Sequence, residues 1–464
     1  MNKISFVILI FIFFIPSLFT KAQKNADLAR YPPMGWNSFD AFDCRINEDQ
    51  FKKTVDFMAE NLLQFGWNYA VIDYIWWHPS PGDWKNPKMR FGHPNIRYAP
   101  DGKPLDPTTI DENGRLLPAV ERFPSAAGGK GFKPIADYVH SKGMKFGIHI
   151  MRGIHRDAYY NRLPVKGTEF NAWDIAEIND TCNWCNHMFG VNPSKPGAQE
   201  YYNSLFELYA FWGIDFVKVD DIAAPVYHKG EIELIRNAIK KCGRPIVLSL
   251  SPGEAPLAMA DHLMANVNMW RISADFWDDW DKLKHNFKLL EEWAPYQKAG
   301  SWADADMLPV GRLSIDGRPH GPERKSHFTW PEHYTLLSLW SISRSPMMIG
   351  ADLLSSTDSA LFFLTNPEVI AVNQNSAANK PFYTNENESV WIAEDPETGG
   401  KFIALFNLRD SAATLSFDFR SMGFEEKVKI RDLWKREDLG IFDAKYSIEL
   451  QPHGAGLFKL EKSL

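Results

Sequence analysis

Cysteine is scarce: Cys44, Cys182, Cys185 and Cys242 are the four in a chain of 464 residues. That excludes a disulfide framework as the basis of the fold. Cys182 and Cys185 form a lone CxxC, "CNWC". A structural zinc needs two further ligands, and the chain has no second CxxC and no HxxxH. A local disulfide or a reduced pair remains. Nor is there an excess of positive charge. The net charge is −7 and no basic tract exists, which argues against a nucleic-acid partner and against attraction to anionic lipid. Past residue 23 no run is long and apolar enough to span a membrane, which takes about 20 residues. A glycine-rich phosphate loop and a Ser-His-Asp order are missing too. No cofactor or metal is implied.

What is present begins with an N-terminal leader. Lys3 precedes "ISFVILIFIFFIPSLF", and "TKAQ" follows with small Ala22 near a cleavage point. Residues 1–23 read as a secretory signal peptide, and the expected location is secreted or periplasmic. A membrane anchor is the alternative, but the run is short and Pro16 interrupts it. Aromatic residues are abundant, with 17 Trp, 15 Tyr and 32 Phe. Such rings pack cores and also stack on sugars, so a carbohydrate ligand is compatible with the composition.

From Tyr31 to about Val372, short apolar runs alternate with helical periodicities. "NEDQFKKTVDFMAENLLQFG" sets Phe51, Val55, Met58 and Leu62 on one helical face, with Gly66 as the stop. Strand candidates are "PPMGWNS", "NYAVIDYIWW", "MKFGIHIM", "FVKVDD", "PIVLSLS", "NMWRIS", "WADADML" and "PMMIGADL". Eight strands separated by helices predict a (β/α)8 TIM barrel over residues 24–375. The segment from His78 to Gly129 is rich in Pro, Gly and Asp and lacks periodicity; it is expected to lie over the C-terminal rim. After "NQNSAANKP" the pattern changes to short strands without helices. Residues 376–464 are therefore expected to form an antiparallel β-sandwich.

Barrel chemistry sits at the C-terminal strand ends. The predicted ends carry Trp36 and Asn37, Asp73, His149 and Arg152, and then Lys218 with Asp220 and Asp221. Ser249 and Ser251, Arg271 and Asp275, and Asp304 and Asp306 complete the set. Paired carboxylates with a stacking aromatic are what glycoside cleavage needs. Lys218, two residues before Asp220 on the same strand face, should hold that carboxyl ionised. Asp275 would need burial or the field of Asp220 to act as an acid, or else it caps the following helix. Asp221 alternates to the other face, and support of the strand end is its expected part. Asp73 in a structural ion pair, and Trp36 and His149 as core residues, are the plainer readings. A binding barrel without activity is one competing class, although both carboxylates are present. A metal-dependent hydrolase, hinted at by "DADM", His149 and His155, is the other; it lacks a paired-His motif.

In this order, "PPMGWNSF", "VIDYIWW", "FVKVDD", "WRISADFWDDW" and "WADADML" resemble glycoside hydrolase family 27, the α-galactosidases and α-N-acetylgalactosaminidases. The resemblance implies a retaining exo-α-galactosidase acting on an oligo- or polysaccharide with a terminal α-galactosyl or related sugar. It implies Asp220 as nucleophile and Asp275 as acid/base. It places the indole of Trp36 under the sugar, Asp73 at the O4/O6 edge, Lys218 and Arg271 at other ring hydroxyls, and Asp306 in an outer layer. Departures bear on the sugar. Tyr74 stands where many members have a second Asp, His149 where relatives carry Tyr, and Ser251 where a Glu reads the 2-hydroxyl. Ile222 replaces the Cys that elsewhere pairs with the counterpart of Cys182. "GIHIMRG" and "LSLSPG" resemble a bacterial branch that includes β-L-arabinopyranosidase-type enzymes. That makes β-L-arabinopyranoside and α-N-acetylgalactosaminide the alternative substrates.

Overall fold

The computed structural model describes residues 28–79, 81, 97–98, 104–105, 108–185, 187–315, 321–355, 357–425 and 427–463. The predicted signal peptide, and much of the segment after His78, lie outside them. Eight parallel strands follow the predicted series: β1 (Met34–Asn37), β2 (Tyr69–Ile72), β3 (Lys145–Met151), β4 (Phe216–Asp220), β5 (Val247–Leu250), β6 (Met269–Arg271), β7 (Trp302–Asp304) and β8 (Met347–Ile349). They pair in the order β7-β6-β5-β4-β3-β2-β1-β8, and a parallel bridge from Leu308 to Ile349 joins the two ends. The TIM-like barrel of the sequence reading is present. Register brings Lys218 of β4 opposite both His149 of β3 and Ser249 of β5, so polar side chains at the strand ends converge in layers.

The first long helix forms where the periodicity placed it. In α1 (Glu48–Asn61), Asn47 and Gln50 form a reciprocal cap, and Phe51, Val55 and Met58 are buried. Gly66, at φ 96°, takes the left-handed turn that releases the chain into β2. The others are α2 (Lys133–Ser141), α3 (Ala198–Trp212), α4 (Lys229–Cys242), α5 (Ala260–Asn266), α6 (Trp280–Trp293) and α7 (Trp330–Ser343), with α8 (Asp358–Leu364) and α9 (Pro367–Asn375) after β8. None of the described helices is long and apolar enough to cross a membrane.

The C-terminal part is antiparallel. Its strands are β9 (Ala377–Thr384), β10 (Glu388–Glu394), β11 (Lys401–Asn407), β12 (Ala413–Asp418), β13 (Val428–Asp432), β14 (Glu437–Phe442), β15 (Lys445–Leu450) and β16 (Ala455–Lys462). One sheet runs β9-β10-β11-β16-β13-β14, and β12 pairs with β15 to cover it. Neither edge strand, β9 nor β14, was expected from the sequence. Both are largely solvent-facing and lack a strong apolar alternation, and β9 carries Pro381, which only an edge strand tolerates. β11 explains its continuous apolar run. Phe402, Ala404 and Phe406 belong to the same core as the barrel helices, while Ile403 and Leu405 fill the sandwich.

Candidate active site

A cavity of about 330 Å³ opens at the C-terminal ends of the barrel strands. The turn after β1 contributes Phe39 and Asp40, β2 Asp73 and Tyr74, β4 Lys218 and Asp220, and β5 Ser251. The β6 end adds Arg271, Asp275, Phe276 and Trp277, the β7 end Asp306 and Met307, and the β3–β4 connection Trp184. A second cavity, of about 180 Å³ beside Arg312 and Trp330, has no carboxylate in its wall and cannot supply paired acid chemistry.

Asp220 stands at the strand end with its side chain 19 % exposed. Its Oδ1 accepts from Ser251 Oγ at 3.1 Å and from the Asp221 backbone N–H at 3.0 Å. His149 Nε2 lies 3.4 Å from Oδ2. Burial pushes this carboxyl up, but His149, Lys218 and the Asp221 amide outweigh it and leave it below the ordinary range. Lys218 thus acts on Asp220 through space rather than by contact. Its Nζ bonds Asp73 Oδ2 at 2.9 Å. Asn37 Nδ2 donates to the same oxygen at 2.6 Å, and the Tyr74 N–H donates to Oδ1 at 2.8 Å. Burial opposes ionisation of Asp73, yet Lys218, His149 and Asn37 hold it down at about 2.

Asp275 differs. Its side chain is 62 % exposed and meets Arg271 Nη2 at 3.3 Å, so burial is not what prepares it. It does not cap α6 either; Asp279 does, accepting from the Lys282 N–H. Arg271 is buried and also pairs with Asp306 at 2.8 Å. Asp306 lines the cavity and accepts from the Phe276 N–H at 2.7 Å, which fixes the turn that carries Asp275.

Two expectations need correction. Trp36 is fully buried, donates Nε1 to the Ala351 carbonyl at 2.8 Å and packs on Phe42 and Phe51; it offers no face to the cavity. The aromatic ring of this turn that reaches the cavity is Phe39, three residues on. His149 is also buried and does not line the cavity, but it touches Asp220 from behind. Ser251 lies in the wall, with its hydroxyl committed to Asp220. Asp221, at φ 58°, turns away from the cavity, and its Oδ2 pairs with Arg152 Nη2 at 3.0 Å, the supporting place expected of it.

Phe39, Asp40, Trp184, Phe276, Trp277 and Met307 were missed. Their signal was proximity in sequence to strand ends, which does not say which side chain turns inward. Asp40 is the most unusual of them. It is 2 % exposed, and its Oδ2 has no hydrogen-bond partner among the described residues. Burial first, and then the charge of Asp306, push its carboxyl well above the ordinary range, with Lys218 pulling the other way. Cys182 and Cys185 are free thiols beside Trp184. As for metals, Asp180, His228 and Glu231 bring ligand atoms within 4.8 Å of one another. Arg152, however, reaches Asp180 at 2.6 Å and Glu231 at 3.0 Å, so a guanidinium already fills the cationic place. His155 caps the short helix Arg156–Tyr160 through Nδ1 and serves structure.

Comparison with known proteins agrees with this geometry. Residues 189–375 match the family described as alpha galactosidase A, and residues 386–460 the alpha galactosidase C-terminal beta sandwich domain. The fold superimposes with a TM-score of 0.88 on a family 27 β-L-arabinopyranosidase from Geobacillus stearothermophilus, 44 % identical, covering 95 % of this chain and 98 % of that one. A Bacillus halodurans C-125 protein assigned as an α-N-acetylgalactosaminidase is 41 % identical, with a TM-score of 0.81 and coverage of 93 % and 97 %. The α-galactosidase of Oryza sativa subsp. japonica is 28 % identical over 450 residues, 95 % of this chain and 87 % of that one. This chain belongs to glycoside hydrolase family 27, in its bacterial arabinopyranosidase-like branch, and is a glycoside hydrolase.

Proposed function

We propose that the protein is a retaining exo-glycosidase that removes a terminal galacto-configured pyranose, accepting α-D-galactosides and β-L-arabinopyranosides in one pocket. The observation that carries this is the arrangement of Asp220 and Asp275 on one cavity, the first fixed and ionised, the second exposed at the mouth. Asp220 attacks the anomeric carbon while Asp275 passes its proton to the leaving oxygen. Asp275 then takes a proton from water as that water releases the glycosyl-enzyme. Asp73, held by Lys218, accepts from an axial O4 and so favours galacto over gluco configuration. The two sugars differ by one exocyclic CH₂OH. Tyr74, packed edge-on against His149 and Trp77, presents no carboxylate to that group. The lost contact shifts the ratio by about 10–200-fold without excluding either sugar.

A panel of nitrophenyl glycosides tests the specificity. The expected result is cleavage of the β-L-arabinopyranoside and the α-galactoside; highest kcat/KM on an α-glucoside would overturn it. Asp220→Ala should abolish turnover with the fold intact, and added azide should restore part of it. NMR of the first-formed anomer should show retention, and an inverted product would rule out the double displacement. Export, carried by the leader sequence, is part of the same proposal. N-terminal sequencing of the extracytoplasmic protein should begin near residue 24, and an intact leader on a cytoplasmic protein would refute it.

A further inference from the structure

Every ionisable group in the cavity wall except Asp40 has a partner or a part in the proposed reaction. Asp73 is held by Lys218 and Asn37, Asp306 by Arg271, and Asp220 by Ser251. Asp40 lines the same cavity, is 2 % exposed, and leaves Oδ2 without a hydrogen-bond partner among the described residues. A buried polar group left unpaired destabilises the fold, so one is retained only where something else gains. The backbone packed against Asp40 is shaped for this carboxyl. A Cβ on Gly350, just past β8, would lie 2.1 Å from Asp40 Oδ2 and 2.6 Å from its Cγ, so only glycine leaves the carboxyl its place. We propose that Asp40 is a sugar-binding residue, whose carboxyl takes a hydroxyl of the glycone as its missing hydrogen-bond partner and so helps to set which pyranose the pocket accepts. This deepens the glycosidase reading and rests on it. Burial, and then the charge of Asp306, raise the pKa of the Asp40 carboxyl, which favours the form that can donate into a wall otherwise rich in carboxylate acceptors.

The test separates binding from turnover. Affinity for intact substrate glycoside is measured by calorimetry on an Asp220→Ala background, so failure of the nucleophile assignment does not touch the result. Adding Asp40→Ala should weaken binding by about tenfold or more. Asp40→Asn, of the same shape and still a donor, should restore most of that loss. Gly350→Ala, which displaces the carboxyl, should weaken binding as Asp40→Ala does. Among substrate analogues each lacking one hydroxyl, one should bind the parent and the Asp40→Ala protein equally, identifying the group held. Two results overturn the proposal: an Asp40→Ala penalty of the same size on every deoxy analogue, or Asp40→Asn no better than Asp40→Ala. Melting temperatures of the variants confirm that folded protein is compared.

Discussion

Charge at single positions decides both chemistry and acid response here. Asp73 lies at about 2 against a usual 3.8, since Lys218 and His149 outweigh the burial that opposes them. A lowered acid stabilises the fold above its unfolded value, and that stability is lost as pH falls from about 4 through about 2. Asp73→Asn should therefore lose less melting temperature over that interval than the parent does. It should also lower kcat/KM by ten- to a hundredfold, since a hydrogen bond to a charged group is worth about 1.5–3 kcal/mol. Unchanged kinetics would make Asp73 a structural partner only. Asp304 shows the opposite sign. Burial first, and then Asp306, lift it to about 6 against the pull of Arg271. Its cost to stability is absent below about pH 4 and complete above about pH 6. Thermal melts of Asp304→Asn across that window should show a flatter decline than the parent; an unchanged slope would refute the shift.

Among the connecting elements, the segment before α2 carries one residue with a cluster of backbone contacts. Arg122 is buried and donates to the carbonyls of Cys44 (2.5 Å), Ile46 (2.7 Å), Ile75 (2.9 Å) and His78 (3.2 Å). It ties the chain entering α1 to the turn after β2 that presents Tyr74. Burial lowers its guanidinium to about 10, which leaves it charged at neutral pH. Removing it takes a donor from four carbonyls, of which Ile75 keeps the His78 N–H, and each buried group left unsatisfied costs about 1–3 kcal/mol. Arg122→Ala should thus lower the unfolding free energy by several kcal/mol, seen as an earlier denaturation midpoint, and raise KM through Tyr74. A loss confined to stability, with KM unchanged, would show that the turn holds its shape without the arginine.

At the scale of the molecule, barrel and sandwich share one core. α7 is buried nearly all round. Trp434 donates to Ser338 Oγ at 2.9 Å, and Thr335 Oγ1 donates to the His453 carbonyl at 2.5 Å. The His453 ring stacks on Trp280 at 3.9 Å and meets Glu332 at 2.7 Å. Trp391, Phe402, Phe406 and Trp434 join the barrel's apolar cluster, and a fully buried side chain of this kind contributes about 1.5–3 kcal/mol. The full chain should melt in one calorimetric transition. A chain ended after Asn375 should aggregate or melt far lower, with α7 exposed to water. Two separated transitions in the intact protein would show that the halves are independent.

Local pattern was enough for the elements. Periodicities of 3.6 and 2 survive in any context where one face is buried, so the eight strands, the main helices and the change to antiparallel strands near residue 376 were all legible. The ordered strand-end motifs also placed Asp73, Lys218, Asp220, Ser251, Arg271, Asp275 and Asp306 on one cavity. Edge strands β9 and β14 were not legible, because their faces meet water and carry little pattern. Tertiary structure alone decided which ring of "GWNSF" reaches the cavity. Past the last paired residue of β1 the period-2 rule lapses, and the short helix Phe39–Phe42 turns Phe39 and Asp40 inward while Trp36 is sealed by Ala351, Phe42 and Phe51. Only the fold showed that His149 rather than Lys218 touches Asp220. Spacing along one strand says nothing of its neighbour, whereas the β3–β4 register sets His149 beside Lys218. The isolation of Asp40 was invisible for the same reason: a missing partner is a property of the assembled wall, built by residues from seven parts of the chain.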